Sequence, residues 1–594
     1  MYLKKTENYI LDYLKSQYKN DDLNEMQKSG MLIQKSPEGI DSDFGTSIPL
    51  RLSKILNKNP MDIANHLSSE LDKSKPEFIS KIEPLTPGYI NFTLSKKTIS
   101  ETLKNIVFEN DYLNNYYQKK PTKIQIEFVS ANPTGPLHVG HIRGAVYGSA
   151  LAKILEYSGY NIKTEYYINN AGNQILEFGQ SILNEILKGK GKKIKNLNTN
   201  ASYKGTYIKS LAKTIDKNSQ LKTNKNLVSD ITHLGINIML QNIKRDLNEL
   251  GVEFDEWFKE TDLFDNEIIN QVTKKLNELN LIKNKDGATW FLSKQFGDDR
   301  DNVLIKQDGS HTYFYSDIAN HYNKFFLRNF DKVINIWGAD HQGHIKRTKY
   351  AMEALGVKPK DLEIKISQMV TIKKGSETVK ISKRSGDYVT LQEIVREVGR
   401  DACRYFFLSK APNTQLTFDI NLAKSQNSNN PIYYIQYAHA RLANLAKNAD
   451  TLGIYIKKTD NFDIKTQKEI SLSKKLLEFP DVIEQISKEL EPHHITKYTL
   501  DLASEFHSYY QSEKIIDEDN LDSTTSKLIL CKAIQEILKK SLEIMMISAP
   551  EKCNLFKIFM IFIISRFQNI SNSILSNHFK VSFRNFTFNS CRNS

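Results

Sequence analysis

A short strand-like run, Ile124–Val129, constrains the fold of this chain more than any other feature. Its letters, IQIEFV, are typical of a buried strand, and the run opens an alternation of apolar strands and helices that continues to about residue 410. Such alternation is the pattern of a parallel sheet, since parallel neighbours are joined through a helical crossover. The sequence therefore predicts an α/β multidomain protein whose central unit, residues 116–410, is a Rossmann-type domain with a parallel sheet.

Two further units flank this domain. Residues 1–115 combine helical periodicity with a strand at Tyr89–Leu94, which predicts a small N-terminal α+β domain. Between Asn430 and Pro550 the patterning is helical throughout, so residues 411–553 are predicted to form a C-terminal α-helical domain. A chain of 594 residues accommodates several domains of about 150 residues each.

Two segments differ in composition from the rest. Lys188–Asn226 is rich in Lys, Asn and Ser and low in apolar residues, which predicts a surface insertion. Residues 554–594 contain no acidic residue, five Lys or Arg and eight of the 29 Phe. We expect this tail to contribute nothing to catalysis, because solvent-facing elements usually carry both signs of charge. The alternative is a basic, aromatic arm that adds affinity for a nucleic acid.

Charge and cysteine content narrow the class of protein. The formal net charge of +13 suits a polyanionic partner, although a Lys-rich composition without any partner gives the same value. The four cysteines form no CxxC pair, which argues against a disulfide scaffold and a cysteine zinc site. No signal peptide and no apolar run of about 20 residues is present. We therefore expect a cytoplasmic protein without membrane association.

The loop after Ile124–Val129 has the chemistry of a phosphate site. Pro and Gly force a loop, and helical periodicity starts near Leu137, so free backbone N–H groups and the helix dipole should face a ligand. His138 and His141 share one helix face, and Gly140 leaves room for a flat ring against the backbone. Two alternatives stay open: a zinc pair completed by His341 and His344, and two structural histidines.

A second cationic loop follows about 240 residues later, in VKISKRSGDYVTL. Lys380 and Lys383 flank Ser382, and lysine acts in such a loop as a compact charge against pyrophosphate oxygens. Taken alone, the segment is more often a basic surface loop.

Both motifs resemble those of class I aminoacyl-tRNA synthetases. HVGH is similar to their HIGH motif, and KISKR resembles their KMSKS loop, with Ile381 in place of Met and Arg384 in place of the final Ser. The longer string EFVSANPTGPLHVGHIRGA resembles the arginyl-tRNA synthetase version. The resemblance implies use of ATP with Mg²⁺, and catalysis by His138, His141, Lys380 and Lys383. The residues implied to bind ATP are Pro136, His138, Gly140, His141, Lys380, Ser382 and Lys383.

The same resemblance implies an arginine site. Glu127, Ser130 and Asn132 follow the first strand of the domain, where arginyl enzymes hold their substrate. In HTYFYSDIANH, Tyr313 and Asp317 match the family's Tyr-xxx-Asp, and a helix would put them on one face; carboxylates suit a guanidinium because they bind it in bidentate geometry. In GADHQGH, Gln342 is the natural candidate for a further contact, with His341 as its alternative. No metal site of protein side chains is expected, and FGDDRD reads as a solvated turn.

The C-terminal helical domain carries an aromatic and cationic stripe. Tyr433, Tyr437 and Arg441 fall at i, i+4 and i+8, which suits unstacked bases but is also common in cores. The string NPIYYIQYAHARL that contains them resembles the anticodon-binding domain of arginyl-tRNA synthetases, and PGYINF resembles their N-terminal domain. The resemblance covers about residues 1–553.

The function implied is activation of L-arginine with ATP and its transfer to the terminal adenosine of tRNA(Arg), by a protein expected to be a monomer. One alternative is a catalytically inactive tRNA- or RNA-binding paralogue. A small HxGH nucleotidyltransferase is another, although it would not need the helical domain. A cysteine enzyme is disfavoured, because those enzymes use thiolate zinc ligands that this chain lacks.

Overall fold

The structure is a computed structural model. It describes residues 2–18, 32–37, 40–109, 111–114, 116–190, 202–218, 226–375, 377–379 and 389–552. The helices are α1 Tyr2–Gln17, α2 Ile48–Leu56, α3 Pro60–Lys73, α4 Lys96–Phe108, α5 Val139–Tyr157, α6 Asn173–Gly189, α7 Thr206–Asn218, α8 Leu227–Glu249, α9 Asp262–Asp265, α10 Ile268–Glu278, α11 Tyr313–Tyr322, α12 Ile345–Ala354, α13 Leu391–Val398, α14 Arg400–Leu408, α15 Ile420–Lys424, α16 Pro431–Thr451, α17 Gln467–Leu477, α18 Phe479–Glu489, α19 His493–Ser512 and α20 Leu521–Ile544.

The strands are β1 Ile33–Lys35, β2 Phe44–Thr46, β3 Ile79–Leu85, β4 Tyr89–Leu94, β5 Lys123–Phe128, β6 Asn161–Ile168, β7 Glu256–Lys259, β8 Ile282–Lys285, β9 Ala288–Phe291, β10 Asn302–Ile305, β11 Lys332–Gly338, β12 Leu362–Ser367, β13 Val370–Lys374, β14 Glu377–Val379 and β15 Leu416–Asp419. None of the helices in the described ranges is long and apolar enough to span a bilayer.

Five strands form the parallel sheet that the sequence predicts. Their order is β12-β11-β5-β6-β7, and every neighbouring pair is parallel. The chain leaves β5 towards β6 and β7 on one side and later returns to place β11 and β12 on the other. A sheet whose order reverses in this way has a crevice beyond the carboxyl ends of the two strands at the reversal, here β5 and β11.

The two flanking units also have the predicted classes. The N-terminal unit is a four-stranded antiparallel sheet, in the order β1-β2-β4-β3, with helices α1 to α4. From Asn430 to Pro550 the described chain contains helices and no strand. The two units touch: the Ser100 hydroxyl on α4 donates to the Phe462 carbonyl at 3.1 Å.

Helix α5 runs through the middle of the molecule and is buried over nearly its whole length. It packs closely on β5. Gly148 leaves no room for a side chain there, since an added Cβ would lie 2.2 Å from the Phe128 ring. Its Arg143 is 1% exposed and donates to three backbone carbonyls, those of Gln368 (3.2 Å), Ala411 (2.6 Å) and Thr414 (2.5 Å). The helix is thus tied to segments far away in the sequence.

A second buried arginine lies against the same helix. Arg404 of α14 is fully buried and donates to Ser149 Oγ on α5 at 2.9 Å and to the Met545 carbonyl at 2.7 Å. Tyr147 of α5 donates from its hydroxyl to the Leu490 carbonyl. Leu490 and Met545 belong to the helical domain, so α5 connects that domain to the central sheet.

The described middle of the segment 188–226 contains a helix, which its composition did not indicate. Helix α7 lies inside it and buries Ile208, Leu211 and Ile215 in a cluster shared with α6 and α8. Because these apolar residues recur every three or four positions, the segment forms an amphipathic helix. The overall composition of the segment does not show this spacing.

Candidate active site

A cavity of about 340 Å³ opens at the carboxyl ends of β5 and β11, where the strand order predicts a crevice. Its lining residues come from five segments of the central domain: Glu127, Val129, Ser130, Asn132, Tyr167, Asn169, Gln174, Glu260, Tyr313, Ser316, Asp317, Asn320, His321, Ile336, Trp337, Gly338, Asp340, His341 and His344. Val129 and Ser130 have positive φ angles of 68° and 39°, a backbone strain that concentrates at functional sites.

Glu127 is buried in a charged row that crosses three strands. In the sheet register, Asn335 on β11 is opposite Glu127, and Glu127 is opposite Glu165 on β6. The fully buried Lys324 places its Nζ 2.5 Å from Glu127 Oε2 and 3.5 Å from Glu165 Oε1. Arg328 forms an ion pair with Glu165. Two carboxylates thus meet two cations, and the row is neutral.

The remaining contacts hold Glu127 in one orientation. The Ser130 hydroxyl donates to Glu127 Oε1 at 3.1 Å, and the Asn320 amide donates to Oε2 at 3.4 Å. Lys324 lies in a π-helical turn, Asn323–Leu327, that directly follows α11. A π-helical turn is rare and is frequently found at functional sites.

Tyr313 and Asp317 lie on helix α11 as predicted, and both line the cavity. Burial raises the pKa of Asp317 to about 7, with Glu127 and Glu260 adding to the rise and Arg347 and Lys324 opposing it. Tyr313 is 53% exposed at the mouth of the cavity.

The predicted histidine pair forms the cap of α5. His138 precedes the helix, the imidazole rings stack with centroids 3.9 Å apart, and Thr390 forms a bridge with His138. His138 Nδ1 accepts from the Gly140 N–H and His141 Nδ1 accepts from the His138 N–H, both at 3.1 Å. Each neutral ring therefore carries its proton on Nε2. Burial, together with His138, lowers the pKa of His141 to about 3, so His141 donates as a neutral imidazole.

The expectation of free backbone N–H groups at this helix start is wrong. The Val139 N–H donates to the Val389 carbonyl at 3.2 Å, the His141 N–H donates to the His138 carbonyl at 2.9 Å, and the Gly140 N–H is used by His138. The first amides are already occupied, because the two histidines and residues 389–391 cap the helix themselves. The donor that this helix start offers to a phosphate is the Nε2–H group of His141, whose Nδ1 already accepts from the His138 N–H.

A smaller cavity of about 200 Å³ adjoins the first. Gly140, His141 and Gly144 line it together with Ser367, and it shares residues such as Ser130 with the larger cavity. Lys380, Ser382 and Lys383 lie outside the described residues. Both of their flanks are described, however: β14 precedes them, and Val389 and Thr390 contact the start of α5.

Three family models cover the chain. Residues 7–94 match the arginyl tRNA synthetase N terminal domain, residues 102–448 match the catalytic domain of class I (R) tRNA synthetases, and residues 435–553 match the DALR anticodon binding domain. Arginine–tRNA ligase of Dehalococcoides mccartyi is 41% identical over 514 residues, which are 86% of this chain and 91% of that protein. The chain belongs to the arginyl-tRNA synthetases.

Other relatives agree with this assignment. Arginine–tRNA ligase of Bacillus cereus is 40% identical over 533 residues, which are 89% of this chain and 95% of that protein. The arginyl-tRNA synthetase structures from Thermus thermophilus and Plasmodium falciparum share the fold, with TM-scores of 0.71 and 0.68 at 20% and 19% identity. Both comparisons cover 93% of this chain. They cover 100% of the Thermus thermophilus chain and 99% of the Plasmodium falciparum chain.

The activity follows from membership of the family. The protein activates arginine with ATP and charges tRNA, and it has the Rossmann-type catalytic domain with the two flanking domains that the sequence predicts. Nothing in these comparisons supports an inactive RNA-binding paralogue. In the described part of the chain, no group of three or more His, Cys, Asp or Glu side chains could hold a metal ion.

The structure separates the two candidates in GADHQGH of this arginyl-tRNA synthetase. His341 lines both cavities, whereas Gln342 is exposed and lines neither. They lie in a 3-10 helical segment, Ala339–His344, where neighbouring side chains point in different directions. His341 is thus the residue of the two that lies at the cavities, and the substrate contact of Gln342 or His341 stays a prediction.

Sequence reasoning missed lining residues of the enzyme, above all Glu260 and Trp337, and the buried Lys324 that pairs with Glu127. Glu260 directly follows β7 and lies, like Glu127 and Trp337, at the carboxyl edge of the sheet. A carboxylate at that position was the available signal. Lys324 gave none, because a lysine near a helix end is ordinarily a surface residue.

The predicted tRNA-binding stripe of the synthetase is split. The Arg441 guanidinium lies between the rings of Tyr437 and Tyr510, 4.6 Å from each centroid, and donates to the Tyr437 hydroxyl at 2.7 Å. Tyr433 instead lines a separate cavity, which it shares with Arg400 at the junction of the catalytic and helical domains.

Proposed function

We propose that the larger cavity binds L-arginine and that the smaller cavity binds the adenosine of ATP. The observation that carries this proposal is the pair Asp317 and Glu260, two carboxylates that lack a basic partner within ion-pair distance among the described residues and line the larger cavity. Arginine's guanidinium is the complement of such a pair. Its α-carboxylate then points toward Asn132 and the shared edge of the two cavities, next to His141.

The proposed reaction is an in-line displacement. An oxygen of the arginine carboxylate forms a bond to the α-phosphorus of ATP while the bond to pyrophosphate breaks, giving arginyl-adenylate. The 2′-hydroxyl oxygen of the terminal tRNA adenosine then forms a bond to the arginyl carbonyl carbon, the bond from that carbon to the AMP phosphate oxygen breaks, and the hydroxyl proton passes to the departing AMP phosphate. We assign to His138 and His141 the donation of Nε2–H groups to phosphate oxygens, and to Lys380 and Lys383 the neutralisation of charge on pyrophosphate.

Three other binding roles belong to the same proposal. Pro136, Gly140 and Ser382 contact ATP, and Ser130 and Tyr313 contact arginine. Mg²⁺ enters with ATP and is bound by the ATP phosphates. This agrees with the ligands that Mg²⁺ prefers, which are phosphates, waters and one or two carboxylates.

Contact with tRNA is proposed for Tyr433, Tyr437 and Arg441. Tyr437 and Arg441 are half-buried on α16, and an aromatic ring beside a cationic side chain is chemistry that suits an unstacked base. Arg441→Lys should raise the KM for tRNA and leave the KM for arginine unchanged. An unchanged tRNA KM would restrict these side chains to packing within the helical domain.

The cellular and domain assignments rest on the order of the elements and on the cysteines. Domain boundaries near residues 115 and 410 agree with the changes in secondary structure. The two described cysteines, Cys403 and Cys531, are free and buried, as in a protein of a reducing cytoplasm. A monomer stays a prediction, which light scattering of the purified protein checks.

One experiment tests the assignment of the two cavities. ATP–pyrophosphate exchange is measured for each amino acid with and without cognate tRNA, in the wild type and in Asp317→Asn. We expect arginine-dependent exchange that requires tRNA, and a much higher arginine KM in the variant with little change in the ATP KM. Equal losses for both substrates would contradict the separation into an arginine cavity and an ATP cavity.

A further inference from the structure

One loop forms the wall between the two cavities. This wall loop spans residues 129–136 and joins the end of β5 to the histidine pair at the start of α5. Val129, Ser130 and Asn132 line the larger cavity and the smaller cavity alike. A shift of the wall loop therefore changes the position of a molecule in one cavity relative to a molecule in the other.

The wall loop begins in a strained backbone conformation. The φ angles of Val129 (68°) and Ser130 (39°) lie in the left-handed region, which is unfavourable for a residue with a side chain and most of all for a β-branched valine. Residues in such conformations persist only where the surrounding structure fixes them. The contacts that hold the wall loop are therefore part of what shapes both cavities.

The first half of the wall loop is held by the neighbouring strand β6. The Tyr166 hydroxyl donates to the Ala131 carbonyl at 2.8 Å. The Tyr167 N–H donates to Ser130 Oγ at 3.1 Å. These two hydrogen bonds fix the loop as far as Ala131.

The second half of the wall loop is held by a different element, helix α7. The Tyr207 hydroxyl donates to the Thr134 carbonyl at 3.1 Å, and the same hydroxyl oxygen lies 3.7 Å from the position that a Cβ at Gly135 would take. Thr134 is 6% exposed. Removal of a donor from a carbonyl in such a place is unfavourable, because water replaces the lost partner poorly.

Helix α7 is a firm support for the Tyr207 hydroxyl. Ile208, the residue after Tyr207, is buried with Leu211 and Ile215 in the cluster shared with α6 and α8. This packing fixes the helix without any contribution from the wall loop. The position of the hydroxyl is thus set by α7, and the loop is held in register with it.

We propose that Tyr207 is a positioning residue for adenylate formation. By holding the Thr134 carbonyl it keeps the wall loop where the arginine carboxylate and the α-phosphorus of ATP are aligned. The inference rests on the proposed assignment of the two cavities. Tyr207 itself lines neither cavity, so it acts through the wall loop, and the segment 188–226 gains a role in the reaction.

The expected result is a loss of kcat without a loss of substrate binding. Tyr207→Phe removes the hydroxyl and keeps the ring, so each substrate still binds in its own cavity while the alignment between them relaxes. We expect kcat for tRNA-dependent ATP–pyrophosphate exchange to fall about 2- to 10-fold, the factor that corresponds to one neutral hydrogen bond. The KM values for arginine and ATP should change by less than about 2-fold, as for an interaction that matters only in the transition state.

Two further variants of the full-length protein accompany the test. Tyr498→Phe is the matched control, because the Tyr498 hydroxyl in the helical domain likewise donates to a backbone carbonyl, that of Lys475, at 2.9 Å. It should affect the melting temperature and leave kcat unchanged. Asp317→Asn tests the cavity assignment separately. The kcat of each variant is expressed per ATP-binding site, counted by calorimetric titration, so that unfolded protein does not lower it.

The outcomes distinguish the role of Tyr207 from the cavity assignment. Unchanged kcat in Tyr207→Phe overturns the proposal and makes the hydrogen bond to Thr134 structural only. A raised KM for arginine or ATP at constant kcat overturns it as well, since Tyr207 would then act on binding in one cavity. An equal loss of kcat in Tyr498→Phe would trace the effect to general stability and has the same consequence. An unchanged arginine KM in Asp317→Asn contradicts the cavity assignment itself, and with it the inference.

Discussion

Replacement of Lys324 by methionine tests the neutral row of charges behind the cavity. Methionine keeps most of the volume of the lysine side chain but removes the ammonium that lies 2.5 Å from Glu127 Oε2 and 3.5 Å from Glu165 Oε1. Glu165 keeps Arg328 as a partner, whereas Glu127 is left as a buried carboxylate without a cation. Breaking a buried pair by removing one partner costs about 3–5 kcal/mol.

The cost can be read as a change in melting temperature. In a unit as large as the catalytic domain, 1 kcal/mol corresponds to roughly 2 °C, so Lys324→Met should lower the melting temperature by about 6–10 °C. Differential scanning fluorimetry measures the shift. The matched control is Lys332→Met, because Lys332 lies on β11 outside the row of charges, and it should lower the melting temperature far less. Asn335→Asp would be a poor control because it adds a charge to the row.

A second substitution identifies the source of the loss. Glu127→Gln in the Lys324→Met background removes the uncompensated charge and makes the row neutral again. The double variant should therefore be more stable than Lys324→Met alone, with a coupling energy of about 1–3 kcal/mol. If the two losses simply add, or if Lys324→Met melts at the wild-type temperature, then Lys324 does not compensate Glu127 and the reasoning is refuted.

Four further changes test the rest of the site. A Cβ at Gly140 would lie 2.9 Å from His138 Cε1, so Gly140→Ala should displace the imidazole and lower kcat/KM for ATP by up to about a hundredfold, whereas Gly343→Ala, with open space around it, should change nothing. Lys383→Ala should raise the barrier to adenylate formation by about 2–4 kcal/mol in single-turnover kinetics; wild-type turnover would make KISKR a mere basic loop. Because the pKa of Asp317 is about 7 in the empty site and arginine needs the ionised form, the dissociation constant for arginine should rise as pH falls from 8 to 6, and equal calorimetric values at both would contradict this. Truncation after Cys553 should leave activity and the salt dependence of tRNA binding unchanged, while a shallower salt slope would show that the tail is a binding arm.

The sequence is sufficient for features that depend on local periodicity. The strand before HVGH and the long helix after it follow from the spacing of apolar and polar residues. The placement of the cavity follows as well, since parallel strands end at one edge of the sheet.

Contacts that depend on register between distant strands could not be predicted. Lys324 and Glu127 are 197 positions apart, and they meet only because β5, β6 and β11 align their polar residues in one row. The contrast between His341 and Gln342 depends on a 3-10 turn that has no sequence period. The capping of α5 by its two imidazoles could not be predicted for another reason. Helices are usually capped by Ser, Thr, Asp or Asn, so a histidine does not indicate a cap.

Helix α5 has a mechanical consequence. It has 19 residues, hence a length of about 28 Å, and it begins at the imidazole pair. Along its length Arg143 and Arg404 clamp it to carbonyls of remote segments, one of them at the end of the helical domain. If tRNA displaces that domain, helix α5 should therefore shift or rotate as a rigid body. The movement would then reach the two histidines at its start. Such a movement requires no hinge within the helix. Slow, uniform exchange of the backbone amide hydrogens along α5 would show that the helix moves as one rigid unit.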